Sequence, residues 1–167
     1  MSAVRRRTAV IVAKVCATRA APRSSDVLLA VVRFTLAWIF IYYGAGKLFG
    51  AFNGPGLHRT AIFFAATAHL HPGMFFAVLG GIIEFFGAVA LVFGLAARLA
   101  ALALVGDMAM AIITVTGANG INSESATPGY ELNLALGVLA LVIVVLGAGR
   151  YSLDALTAGP RRASRQP

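Results

Sequence analysis

Four stretches of the chain stay apolar for close to the roughly 20 residues with which an α-helix crosses a hydrocarbon core. They run over about 27–48, 73–95, 97–117 and 130–149. Only the fourth holds a long charge-free run, Leu132 to Gly149. The second and third are parted only by the Ala96–Ala97–Arg98 corner, which predicts an antiparallel hairpin. Two loops remain, 49–72 and 118–129. Within the first, Leu57–Leu70 predicts a short interfacial helix with Phe63 and Phe64 toward lipid, between turns at Asn53–Gly56 and Pro72–Gly73. The pattern therefore predicts an all-α, integral membrane four-helix bundle. It contains no internal repeat, no GxGxxG and no P-loop, so nothing supports a nucleotide site.

Residues 1–26 resemble a signal peptide only at first sight. Arg5–Arg7 would be its basic start, but Lys14 cuts the apolar run to about six residues where roughly 7 to 15 are needed. The expected organisation is a basic, flexible cytoplasmic extension (1–26), the bundle (27–154) and a basic cytoplasmic tail (155–167).

Composition points the same way. Of 167 residues, 59% are hydrophobic and only 12% charged, about half the usual charged share, and the mean hydropathy is +0.85. A soluble domain of this size buries only about 70% of its unfolded surface and could not hide so much apolar area. Disorder is excluded for the bulk of the chain by the same hydrophobicity.

The net charge of +8 suggests a nucleic-acid partner until the charges are located. Six basic residues (Arg5, Arg6, Arg7, Lys14, Arg19 and Arg23) precede the first apolar run, and four (Arg150, Arg161, Arg162 and Arg165) follow the last. With Arg98 at the central corner, eleven of the fourteen fall on one side of the bundle. Lys47 and Arg59 fall on the other, and Arg33 lies within a span. Basic residues mark the cytoplasmic side, so a multi-pass protein of the plasma (cell inner) membrane with both termini cytoplasmic is expected. The basic ends suit anionic lipid head groups; no nucleic-acid partner is expected, because no basic stripe with interleaved aromatics exists.

Cys16 is the single cysteine. Neither an internal disulfide nor a CxxC is available, which excludes membrane thiol oxidoreductases that need cysteine pairs. His69-x-His71 has no third ligand, His58 stands apart, and no metal site is expected. Trp38, Tyr42, Tyr43 and Tyr130 read as packing or interface-belt aromatics.

Chemistry concentrates inside the spans; apart from Lys47 at the outer end of the first and Arg98 at the corner, each carries one charged residue: Arg33, Glu84, Asp107 and Glu131. A charge at mid-bilayer costs about 2.5 to 3.5 kcal/mol on insertion scales unless paired or hydrated. Counting 1.5 Å per residue from the expected helix ends puts Glu84 and Asp107 both roughly 15 Å deep and Arg33 about 9 Å deep. Glu131 and Lys47 then meet at the outer face. Each charge shares a helical stripe with small or polar residues. Glu84 sits with Gly80, Gly87 and Gly94; Arg33 with Ala37, Gly44 and Lys47; Asp107 with Ala100, Ala103 and Thr114. That places them in the bundle interior.

The expected site is thus a polar intramembrane pocket of Arg33, Glu84 and Asp107, with Lys47 and Glu131 as an outer-face pair. Two readings of the pocket stay open. A buried Arg–carboxylate pair can serve only to fix helix register. Alternatively, three acids facing one arginine cannot all ionise cheaply, so one midplane carboxyl holds a proton and can exchange it in a redox or transport step. Arg33 can also snorkel to head groups. No residue is assigned a catalytic role.

At these positions the chain resembles the DoxX family of small four-helix membrane proteins, from about Val32 to Asp154. The first span shows Arg33, Ile39–Phe40, Gly44 and Lys47–Leu48. The second and its corner show Glu84, Gly87, Leu91, Gly94–Leu95 and Arg98. The last shows Gly129–Tyr130–Glu131 and Gly147-x-Gly149-x-x-Ser152–Leu153–Asp154. Ala88 stands where the family often has a second glycine. The resemblance implies a plasma-membrane protein tied to sulfur or thiol redox chemistry, in one branch a subunit of a quinone-reducing thiosulfate dehydrogenase. It transfers fold and location better than activity.

The leading expectation is an auxiliary membrane subunit of a quinone-linked oxidoreductase working with redox partner proteins. The chain carries no flavin, haem or iron–sulfur signature, so the carrier is a diffusible quinone or resides on a partner. A membrane scaffold or assembly factor is the alternative; a third reading, a small proton-coupled transporter, needs a homo-oligomer. The topology is directly checkable: reporters active only in the cytoplasm, fused to either terminus, should both be active, and an active periplasmic reporter at either end contradicts the charge count.

Overall fold

The computed structural model describes residues 22–122 and 127–157, and these fold into helices with no strand among them. Helix α1 spans Pro22–Phe49 and ends at Gly50, whose φ of 69° is open to glycine. A 3-10 turn, Ala51–Asn53, leads into α2, Gly56–Ala66. Helix α3 runs Gly73–Phe93, α4 runs Ala97–Ala111, and α4 continues as a π turn, Ile112–Thr116, and a 3-10 turn, Gly117–Asn119. Helix α5 covers Glu131–Leu146, and the one-turn α6 covers Leu153–Thr157.

Three helices are long and apolar enough to cross a membrane: Ser24–Phe49, Gly73–Phe93 and Ala97–Asn119. The fourth, α5, has 16 residues and rises about 24 Å, less than the 20-residue span expected. Its axis is still that of a bundle member, because it packs antiparallel on α4. A helix forms within the loop segment expected to hold one. Residues 22–26, expected in the N-terminal extension, are already part of α1. Cys16 and the rest of that extension lie outside the described residues, as do residues 158–167 of the tail.

Side-chain sorting is that of a membrane protein. The buried core is built largely of small residues, among them Ala37, Ala77, Ala88, Ala97, Ala101 and Ala140, while large apolar side chains face out: Trp38 is 78% exposed and Ile113 80%. In water this arrangement would waste the hydrophobic effect. In lipid it is favourable, because helices associate there by close van der Waals packing of small surfaces.

The closest approaches fix the register of neighbouring helices. A Cβ on Gly44 would lie 2.6 Å from the Phe85 backbone N, and one on Gly81 would lie 2.6 Å from Leu48 Cδ2. Antiparallel α1 and α3 are thus locked with 44 beside 85 and 48 beside 81. Between α3 and α4, Gly80 faces Asp107 and Gly87 faces Leu104 and Ala100. Between α4 and α5, Gly137 faces Met108 and Gly147 faces Arg98.

One end of the bundle is tied by polar contacts. Helix α3 stops at Gly94 (φ 64°), where Leu95 N–H bonds Ala90 O and Gly94 N–H bonds Leu91 O in a Schellman turn. A side chain at Gly94 would strike Ser152 Cβ at 2.4 Å. Helix α4 has no capping side chain of its own. Asp154, 57 residues on, supplies it: Oδ1 accepts Ala96 N–H at 2.8 Å and Oδ2 accepts Ala97 N–H at 2.9 Å, a carboxylate at a helix N-terminus. Asp26 Oδ1 likewise accepts Arg150 N–H at 3.1 Å.

Gly44→Ala should therefore lower stability in detergent by about 1–3 kcal/mol, because a backbone must move to admit the methyl group. Gly106→Ala, with nothing within 4 Å of the new Cβ, should be neutral or stabilise by up to about 1 kcal/mol. Thermal unfolding of the two variants beside the parent checks both, and equal losses would contradict the register.

Candidate intramembrane site

The α1–α3 register decides which charges meet. Arg33 falls level with residue 96, at the α3–α4 corner, twelve residues and about 18 Å along the axis from the level of Glu84. The expected Arg33–Glu84 pair does not form. The reason is that α1 starts at Pro22 and overhangs the end of α3, whereas the depth count assumed that the two helices end together.

Arg33 is buried (2% exposed) beneath the segment that follows α5. Its Nη1 donates to Ala148 O at 2.7 Å and its Nη2 to Tyr151 O at 2.5 Å. The guanidinium carbon lies 5.3 Å from the Phe34 ring centroid. Arg33 thus ties the C-terminal segment to α1.

Lys47 takes the place expected of Arg33. Its Nζ donates to Glu84 Oε1 at 2.6 Å, with the Lys47 side chain 25% exposed and that of Glu84 3%. The expected outer-face pair of Lys47 with Glu131 is likewise absent: Glu131 is exposed at the start of α5, about nine residues higher in the bundle, while Lys47 turns inward. Leu48 against Gly81 holds that last turn of α1 on α3, so Lys47 has a carboxylate within reach one turn away.

Asp107 does join Glu84, as expected. It lies half-buried on α4, one turn along the bundle, 3.5 Å from the Cβ position of Gly80. Its carboxyl is within hydrogen-bonding reach of Glu84 and feels the Lys47 charge. Glu84 Oε2 is buried and receives no hydrogen bond. An acceptor facing another carboxyl is satisfied only by a proton held between them or by a donor from outside.

These three groups line a cavity of about 730 Å³, within the 300–1,000 Å³ of small-molecule sites. Its walls are mostly apolar: Phe40, Phe63, Phe64, Phe76, Ile83, Met108 and Leu136 belong to four helices and to α2. The rim includes the exposed Tyr43, Arg59 and Pro128. Beside it lies the π turn of α4, a feature often found at functional sites. There Thr114 Oγ1 donates to Met110 O and Asn133 Nδ2 donates to Thr116 Oγ1 at 3.0 Å. His58, His69 and His71 are exposed, and among the described residues no group of three candidate metal ligands exists.

Sequence reasoning missed Lys47 as the partner of Glu84 and Asp154 as the cap of α4. The first was readable from the shared stripe of Gly44 and Lys47 set against Gly81 and Glu84. The second had no local signal.

Removing one member of a desolvated ion pair leaves an uncompensated charge. Lys47→Met should cost roughly 3 kcal/mol, the low end of the usual range because Lys47 keeps some exposure. The double variant Lys47→Met/Glu84→Gln should recover most of that loss. Denaturation in mixed micelles measures both; additive losses would show that the pair contributes nothing.

A search of curated proteins and one of solved structures each returned no match. The family model for DoxX matches residues 28–117, which hold α1 from Leu28, α2, α3, α4 and the whole Lys47–Glu84–Asp107 cluster. The chain belongs to the DoxX family, a family of membrane proteins.

Proposed function

We propose that this protein is the membrane subunit of a quinone-linked oxidoreductase, with the cavity among α1, α2, α3, α4 and α5 as the site of a lipid-soluble quinone. The observation that carries this reading is a mostly apolar cavity lined by a buried carboxylate oxygen that receives no hydrogen bond. Quinones match that chemistry: an apolar ring and tail with oxygen substituents whose redox change is accompanied by proton exchange. Lys47, Glu84 and Asp107 would hold the oxygen-bearing edge, and Phe63, Phe64, Phe76 and Met108 the apolar parts.

In such a site the chain's own groups supply proton handling and exclusion of water. Two carboxyls sharing one ammonium can gain or lose a proton between them without leaving a bare charge in the bilayer. Lys47 keeps Glu84 oriented while that proton moves. The apolar walls keep bulk water from the Glu84 carboxyl, which strengthens its electrostatic contacts.

In this reading electrons enter or leave through a partner enzyme. The basic flanks of the chain, on the side we assign to the cytoplasm of the plasma membrane, are the surface for that partner and for anionic lipid.

In membrane vesicles containing the assembled complex, Glu84→Gln should lower quinol-dependent electron transfer about 100-fold, the lower range for loss of a positioned acid–base group, with the gel-filtration profile unchanged. An unchanged rate removes the cavity from the reaction and leaves the scaffold reading, in which the buried charges serve only helix register.

A further inference from the structure

We infer that the cavity selects the reduced, hydroxyl-bearing form of its ring-headed ligand, with Glu84 Oε2 as the acceptor. The inference rests on the quinone reading above and adds the redox state that binds. It starts from a count of donors and acceptors at the polar wall. Glu84 and Asp107 offer four carboxyl oxygens. Against these stand Lys47 Nζ, spent on Glu84 Oε1, and at most one proton held between the two carboxyls, so acceptors remain in surplus. Glu84 Oε2 is buried in a residue only 2% exposed, and no N–H or hydroxyl of the described residues reaches it.

The two ends of this wall are not equivalent. Lys47 keeps a quarter of its side-chain surface exposed, so its remaining N–H groups gain little when a carbonyl replaces what already solvates them. Tyr43 and Arg59 on the rim are exposed and solvated in the same way, and the other polar side chains near it are already committed. Thr60 and Thr114 donate to the backbone of their own helices, and Asn133 to Thr116. A ligand hydroxyl delivered to Glu84 Oε2 relieves a buried, unsatisfied acceptor, and a ligand carbonyl at the same place adds a further acceptor to a surplus. Sites that hydrogen-bond a ligand hydroxyl discriminate strongly against analogues that lack it, because the site's own polar group is then left unpaired.

The test uses the full chain in nanodiscs of phosphatidylcholine, which contain no quinone. Nonyl-1,4-hydroquinone, its oxidised 1,4-benzoquinone and its dimethyl ether share one ring and tail and differ in donors. Equilibrium binding is measured for each by titration calorimetry, with empty nanodiscs as the blank. The hydroquinone should bind at least tenfold more tightly than the other two, and in Glu84→Gln, which places an amide NH2 where an acceptor oxygen stood, the preference should vanish or invert. Quinone binding equal to or tighter than hydroquinone overturns this inference and leaves the quinone reading standing. Absence of binding by all three ligands overturns both. If Glu84→Gln does not fold, the three-ligand comparison on the parent protein still decides.

Discussion

The close contact of α1 with α3 is the constraint on which the rest depends. Lipid tails are as apolar as leucine, so two helices in a bilayer gain little by hiding apolar surface from each other; they gain by fitting backbone to backbone. Gly44 against Phe85 and Gly81 against Leu48 provide that fit. Once it is made, the sliding of one helix past the other is no longer free, and every charged residue on either helix has a set height. Lys47 comes level with Glu84, and Arg33 falls near the corner. The electrostatic pattern is a consequence of the glycine contacts.

The same chain uses buried charge in two ways. At the corner end, Arg33 and Asp154 are committed to backbone: the arginine to carbonyls of Ala148 and Tyr151, the aspartate to the N–H groups of Ala96 and Ala97. These contacts stitch the C-terminal segment across α1 and the α3–α4 turn. Arg33 Nε is buried there without a partner among the described residues. At the cavity, by contrast, three ionisable groups share two proton-binding carboxyls and one ammonium beside roughly 730 Å³ of space. The proposed function rests on this contrast.

Much of the fold was readable from hydropathy. Helix positions follow because an unbroken apolar run in lipid has no alternative to the α-helix, where each backbone group bonds within its own segment. The stripes of Gly80 and Glu84, and of Arg33, Gly44 and Lys47, identified the inward faces for the same reason. Axial height was a different matter. Nothing in the run 27–48 says that α1 begins at Pro22 and overhangs α3, so aligning helix ends misplaced Arg33 by several residues and gave Glu84 the wrong cation. The pairing of Glu84 with Asp107 survived, because α3 and α4 are joined by a corner too short to let them slip. The cap on α4 was invisible, since Asp154 and Ala97 are brought together only by the folded C-terminal segment.

The central claim is that Glu84 is neutralised by Lys47 from the last turn of α1. Solid-state NMR in lipid bilayers measures it most directly, through the dipolar coupling of the Glu84 side-chain carboxyl carbon to the side-chain nitrogens of lysine and arginine in uniformly 15N-labelled protein. The account predicts a strong coupling to the lysine ammonium, matching the 2.6 Å N–O contact, that disappears in Lys47→Met. A coupling to an arginine guanidinium instead, or no coupling to either, would contradict it.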